Sequence, residues 1–450
     1  MTAGRVVRAA EAGLRFLPML DRLQRHRLRL PGHTGGDREL PRAHRAAHPH
    51  HHPARPARPM SRRRRARRIL KSVALLAALA ALAVATSIGL LYDEHRTALT
   101  LPAPTGPYPV GRTTYDWVDH SRTDPLAPDG RPRELPVWIW YPAAPAGASR
   151  PADYLPPPWR TALTRYQGPV MRTLFTRDLS LVHAHSTQNA PVAPGRSPYP
   201  VVLLRSGIGA LATDYTTLAE DLASHGYVVV GMDAPYSTTV VVLPNGQVVT
   251  RTTVGNPKLI ALWSADTSFV LDQLTRLDNA DPPGPFTHRL DPNAVGILGR
   301  SFGGATAAQF CHDDTRCRAG IDLDGTLHGT VLHDGLRQPF LFLTAADHGD
   351  PTTPANRAAL ADIRSVYRTP ANHRFRLTIQ GTGHFNFSDQ SLLKDPTLSR
   401  LAHLTGPLSP RHALTTALLL RFFDTYLRHH PAHFPGDLTA LHPAIHPVHP

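Results

Sequence analysis

Covalent chemistry in this chain points first to a serine flanked by glycines, a histidine in a later Gly-rich loop, and carboxylates lying between them. The stretch GRSFGG at 299–304 follows the apolar run AVGIL at 294–298. Gly and Ser are common residues, so a G-x-S-x-G match alone decides nothing. Its weight comes from context, a short strand before it and a Gly-opened helix after it, where the motif marks a sharp elbow that lifts a nucleophilic hydroxyl above a sheet. Glycines at 299 and 303 remove the Cβ atoms that would clash where strand and helix approach. The helix N-terminus then offers amides and a positive dipole to a developing oxyanion. Ser301 is the candidate nucleophile.

A serine needs a base at neutral pH. The chain holds 27 His, and position separates them. His384, in GTGHFNFSD, follows the last expected strand and opens on the same carboxyl edge as the elbow. His312, His328, His333 and His348 have weaker placements. Two acids could hold the His384 tautomer, Asp324 after the strand at 319–323 and Asp347 after the strand at 339–345, and both keep the order Ser, Asp, His. Asp322 has the opposite strand parity and should point elsewhere. The loop RSGIGA at 205–210 carries Gly207 and Gly209 and places the N–H of Ile208 as one oxyanion donor, with the N–H of Phe302 as the other.

These residues need a scaffold, and the chain from residue 100 supplies one. Segments 107–119 and 134–141 read as an antiparallel edge. Residues 142–199 are Pro- and Ala-rich with a helix near 158–176, and read as an insertion or cap. Apolar strands at 201–205, 227–233, 294–298, 319–323, 339–345 and 374–380 alternate with helices at 214–226, 257–278, from 303, near 354–367 and at 411–429. Such apolar strands without alternation predict an α/β fold with a mostly parallel central sheet covered by helices on both faces. A hairpin at 238–252 has Asn245 and Gly246 at its tip, a type I′ signal.

The formal charge of +15 does not mark a nucleic-acid-binding domain. Residues 1–71 hold 18 Arg and one Lys against four acids, so the whole excess sits in an Arg/Pro/His-rich leader. That leader buries too little apolar surface to fold and reads as disordered; translation from Met60 would omit most of it. Residues 72–92 follow, 21 residues without a charge. As a helix they span about 31 Å, the thickness of a bilayer core. The Arg-rich block 61–71 before them puts the N-terminus in the cytoplasm and residues 93–430 outside. An uncleaved anchor is the favoured reading, and a signal peptide cut after residue 85 is the rival. Cys311 and Cys317 form a disulfide or remain two free thiols, and two Cys without partnering His make no zinc site. Residues 431–450 read as a loose Pro/His-rich tail. No cofactor or metal is expected.

Three blocks, GRSFGGAT at 299–306, GIDLDG at 320–325 and HFNFSD at 384–389, resemble the plasma-type platelet-activating-factor acetylhydrolase family and its bacterial relatives. The resemblance extends to SGIGALATDYTTLAEDLASHGYVVVGMD at 206–233 and RELPVWIWYPA at 133–143, and covers about residues 105–430. It implies an α/β-hydrolase fold and Ca²⁺-independent hydrolysis of short or oxidised acyl esters, with a lipid or small-molecule ester as the partner. It also implies Ser301 as nucleophile, His384 as base, Asp324 as acid, and Ile208 and Phe302 as oxyanion donors. Two positions depart from the family: Ser206 stands where it usually has His, and Arg300 stands where it has His before the nucleophile. Arg300 is therefore the position expected to alter substrate preference. Cutinase-type polyester hydrolases share a similar elbow with the acid at the place of Asp347. A non-catalytic envelope or binding protein of the same fold would predict a broken constellation.

Overall fold

The computed structural model describes residues 62–145, 150–195, 198–252, 258–346, 348, 352–366, 374–393, 408–430, 434 and 442–447. The leader up to residue 61 and the alternative acid Asp347 lie outside them. The chain divides into two units, Met1–Lys71 and Ser72–Pro450, and the sheet with its covering helices belongs to the second.

Helix α1 (Arg62–Arg96) holds the uncharged run. Within it, Arg64–Arg96 is long and apolar enough to cross a membrane, with a mean hydropathy of 2.4 and no burial. Its last turn is held by the body of the protein. Arg177 pairs with the Glu94 carboxylate and donates to the backbone carbonyls of Glu94 (3.0 Å) and Thr97 (2.5 Å).

Short strand β1 (Leu99–Thr100) and the long antiparallel pair β2 (Val110–Thr123) and β3 (Pro132–Pro142) come next. The pair was expected to be an edge, but it lies inside the sheet. The expected insertion supplies what lies beyond it: β4 (Pro151–Asp153), helix α2 (Pro157–Val170) and β5 (Val182–Gln188), with β5 pairing to β2, β1 and β4. A π-helical turn, Met171–Phe175, extends α2.

The parallel part follows the expected alternation: β6 (Tyr199–Arg205), α3 (Thr216–Ser224), β7 (Val228–Met232), the hairpin β8 (Val240–Val242) and β9 (Val248–Thr250), then α4 (Leu259–Asp278). After it come β10 (Leu290–Arg300), α5 (Phe302–Asp313), β11 (Cys317–Leu323), β12 (Phe340–Ala345), α6 (Pro354–Val366), β13 (Arg374–Ile379), α7 (Leu408–Tyr426) and β14 (Ile445–Pro447). The order β7-β6-β10-β11-β12-β13 is parallel throughout. The apolar strands read as they do because both faces are buried. Val202, Leu204, Leu298 and Leu343 pack with Leu218 of α3 and Phe422 of α7. Val201, Leu203, Ile297 and Phe342 pack on the other side with Leu271 of α4, Phe310 of α5 and Ile363 of α6. Chain order reverses between β6 and β10, and a crevice opens at such a switch point beyond the carboxyl ends of the strands.

Two local expectations change and one open alternative is decided. In the β8–β9 hairpin only Gly246 has positive φ (80°), so the turn is not type I′, which needs positive φ at both central residues. Cys311 and Cys317 are joined by a disulfide, tying the last turn of α5 to the start of β11. The tail expected to be loose returns to the sheet: β14 pairs antiparallel with Leu377–Ile379 of β13. Ala444 and Ile445 are buried there, closing what would otherwise be an open strand edge. Ile445→Ala should therefore lower stability by about 2–3 kcal/mol, read as a lower urea midpoint of the solubilised chain; an unchanged midpoint would make β14 a passive tail.

Candidate active site

Ser301 stands between β10 and α5 at φ 57° and ψ −124°. A side chain in this left-handed region is strained, and such strain persists only where the surroundings enforce it. Here close packing enforces it. A Cβ on Gly299 would fall 2.0 Å from the Gly303 carbonyl oxygen, and one on Gly303 would fall 2.2 Å from that of Arg205. Register places the elbow between its neighbours, with Gly299 opposite Arg205 of β6 and Arg300 opposite Leu323 of β11. The Ser301 N–H donates to the Leu323 carbonyl at 2.9 Å.

Asp324 follows directly on β11, also with positive φ (59°), so two strained residues flank one cavity. Its Oδ1 accepts the Ala345 N–H at 2.8 Å, and its Oδ2 accepts from Nδ1 of His384 at 2.6 Å and from Nδ1 of His348 at 2.7 Å. An ionised carboxylate can only accept, so each imidazole donates through Nδ1, and neutral His384 keeps a lone pair on Nε2. Burial works against the Asp324 charge, but the hydrogen bonds from His348 and His384 prevail and hold the carboxyl well below the usual range. Burial pulls His384 below the ordinary imidazole value; its bond to Asp324 opposes that, while the Arg300 charge adds to it.

The loop carrying His384 is fixed by its own motif. Asn386 Oδ1 accepts the Gly383 N–H at 2.8 Å, and the Asp389 N–H donates to the Asp214 carbonyl at 2.7 Å. The Asp389 carboxylate also accepts the Thr217 N–H of α3 at 3.2 Å. Two widely separated stretches, 206–233 and 384–389, thus bind each other.

Ser301, Asp324 and His384 line one cavity of about 430 Å³, together with Ile208 and Phe302. Among the described residues, the N–H groups of Ile208 and Phe302 have no hydrogen-bond partner, while those of Gly207, Gly209, Ala210, Ser301, Gly304 and Ala305 are all taken. Two unpaired donors beside a strained serine can receive a negative oxygen. Apolar Ala359, Leu360 and Ile363 of α6 also line the cavity, and the Phe302 ring lies 6.0 Å from that of His328. Trp263 packs edge-on against Phe302 at 5.0 Å. Among the described residues of 142–199, the stretch expected as a cap, none lines this cavity.

Four placements refine the reading of the sequence. His348, one of the weaker candidates, sits on the same carboxylate oxygen as His384; its position just past β12, at the carboxyl edge, was the available signal. Asp322 points away from His384, as strand parity required, and is buried under the elbow. There it accepts the Gly325 N–H at 2.8 Å, and burial raises its carboxyl well above the usual range. Arg300, the position expected to alter substrate preference, is not among the residues lining the cavity; its side chain is buried beside the His384 loop. Finally, Asp324, His348 and His384 bring potential ligand atoms within 4.8 Å of one another. Their 2.6 and 2.7 Å separations are hydrogen bonds, shorter than the roughly 3.3 Å between ligands around a tetrahedral zinc.

The family model for platelet-activating factor acetylhydrolase, isoform II, matches residues 94–242 and 277–434. A probable 1-alkyl-2-acetylglycerophosphocholine esterase of Arthroderma benhamiae is 28% identical over 275 residues, 56% of this chain and 67% of the relative. The platelet-activating factor acetylhydrolase of Cavia porcellus is 23% identical over 360 residues, 73% of this chain and 78% of the relative. Among solved structures, a ferulic acid esterase from Streptomyces cinnamoneus superposes with a TM-score of 0.65 and 28% identity, over 78% of this chain and all of its own.

The packing under the elbow makes one position diagnostic. A Cβ on Gly304 would lie 1.8 Å from Asp322 Oδ1. Gly304→Ala should cost about 1–3 kcal/mol of stability, and combining it with Asp322→Ala should cost less than the sum of the two single changes. Additive losses in thermal unfolding would mean that the two groups do not meet.

Proposed function

The chain belongs to the platelet-activating factor acetylhydrolase, isoform II, family, and we propose that it is a serine carboxylic-ester hydrolase acting through an acyl-enzyme. The observation that carries this reading is the meeting of five groups at one cavity: a strained Ser301, a His384 bonded to buried Asp324, and the unpaired N–H groups of Ile208 and Phe302. Ser301 Oγ attacks the ester carbonyl as His384 Nε2 takes its proton. The carbonyl oxygen gains negative charge between the two N–H groups, which need no reorganisation to receive it. Asp324 holds the Nδ1–H tautomer and stabilises the imidazolium. His384 returns the proton to the leaving alcohol, and water then attacks the acyl-enzyme by the same steps in reverse.

Among the described residues, Ser301 Oγ makes no hydrogen bond to His384, a separation common in unliganded sites that closes when substrate binds. The substrates proposed are short-chain or oxidised acyl esters of phospholipids, in line with the names of the relatives. A second reading, esters of aromatic acids, is favoured by the cavity wall of Phe302 and His328 and by the solved ferulic acid esterase. The uncharged run of α1 supports tethering at a membrane, with the catalytic body on the side away from the Arg-rich block.

A fluorophosphonate probe should label the wild-type chain and leave Ser301→Ala unlabelled; equal labelling sinks the serine mechanism. Asp324→Asn should lower kcat by about 10³- to 10⁴-fold on p-nitrophenyl acetate, with Asp347→Asn near wild type, and the opposite pattern would move the acid to Asp347. Because His384 is held below the ordinary imidazole value, it stays neutral into mildly acidic solution. The acid limb of kcat/KM should accordingly fall below pH 6.5, and a limb above that value would contradict the arrangement. A rate series over acetyl, hexanoyl, dodecanoyl and feruloyl esters decides between the two substrate readings.

A further inference from the structure

Arg300 lies inside the elbow, yet its side chain turns away from the cavity and is 5% exposed. Nε and Nη2 both donate to the carbonyl oxygen of His384, at 3.2 and 3.0 Å. The guanidinium lies over the Phe385 ring, Cζ 4.7 Å from its centroid. On its other side it closes on the loop that carries Ile208. A Cβ on Gly207 would come within 3.3 Å of Arg300 Nη1 and 3.2 Å of its carbonyl oxygen, and the Gly207 N–H is itself held by the Tyr215 hydroxyl at 3.3 Å.

We propose that Arg300 is a positioning residue for the hydrolysis proposed above, locking the loop of His384 and the loop of Ile208 onto the elbow so that base, nucleophile and oxyanion donors keep one geometry. The inference rests on that reading of Ser301 and His384. A planar fork on one carbonyl oxygen fixes both distance and direction, which a Lys ammonium cannot do. The bond is made to the backbone of the base itself, so it sets where the imidazole begins. Misplacing a reacting group by about 1 Å costs roughly 10²-fold in rate. The groups with charge or protons that face His384 are Asp324, His348 and Arg300. Removing the cation therefore also leaves the imidazole easier to protonate.

The test compares wild type, Arg300→Ala, Arg300→Lys and Arg300→Gln as full-length, detergent-solubilised chains, in fluorophosphonate labelling of Ser301 and in ester hydrolysis across pH. Arg300→Ala should lose about 10- to 100-fold in kcat, with KM within threefold, and its acid limb should move to higher pH. Arg300→Lys keeps the charge without the fork, so its limb stays in place while kcat falls. Arg300→Gln keeps a donor without the charge, so its limb moves while part of kcat returns. Wild-type kcat in Arg300→Ala overturns the proposal. So does a loss shared equally by all three variants with no movement of the limb, since a purely structural role predicts that. If the wild-type chain itself does not label at Ser301, the hydrolase reading fails and the proposal with it, an outcome distinct from labelling that is indifferent to Arg300.

Discussion

Methyl groups at residues 299, 303 and 304 would overlap other atoms at 2.0, 2.2 and 1.8 Å, and this absence of space around the turn from β10 to α5 is the constraint on which the site depends. With helix and strands this close, the connecting residue must take a backbone conformation that a side chain disfavours. Ser301 is held there, its hydroxyl above the sheet and its carbonyl already accepting from Gly304 and Ala305 within the helix. The same closeness brings the N-terminus of α5 beside the end of β6, so the loop after β6 and the first amide of the helix face a common space. The switch in strand order between β6 and β10 makes that space available, and the glycines make it tight.

A second constraint is electrostatic. Asp324 is a carboxylate almost wholly out of water, and such a charge is tolerated only when its lone pairs are occupied. One backbone amide and two imidazoles occupy them. Asp322, two residues earlier and equally buried, has a single amide partner at Gly325 among the described residues and is driven towards its neutral form. Two acids in one short stretch thus differ in state because one meets donors and the other meets the underside of a helix. The Ser301–His384–Asp324 arrangement draws on this difference, since only an ionised acid can stabilise an imidazolium.

Much of this was legible in the sequence. The strand run before GRSFGG, the positions of Ser301 and His384, and the apolar character of the parallel strands each follow from local chemistry, and the sheet has them where expected, whereas spacing left Asp324 and Asp347 both open as the acid and only the family resemblance chose Asp324. Asp322 and Asp324 separate by parity alone. What was not legible depends on contacts between distant segments. The pairing of His348 with Asp324, the return of Ile445 to the open edge of β13, and the burial of β2 and β3 behind strands from 151–188 leave no periodic trace in any one stretch. Arg300 stood out in the sequence only as a departure from the family's usual His; that the turn presenting Ser301 upward sends the preceding side chain under the His384 loop was not legible there.

Arg177, at the far end of the sheet from the elbow, sets where the globular body begins. Its buried guanidinium bonds through Nη1 and Nη2 to the Glu94 carboxylate and to the carbonyls of Glu94 and Thr97, residues at and just past the end of the apolar helix rather than in the sheet. A chain beginning after residue 85 would still carry these acceptors. One trimmed back to the first strand would strand a cation with no acceptor of its own, a loss of several kcal/mol. The last turn of α1 is thus a structural part of the body that carries the sheet.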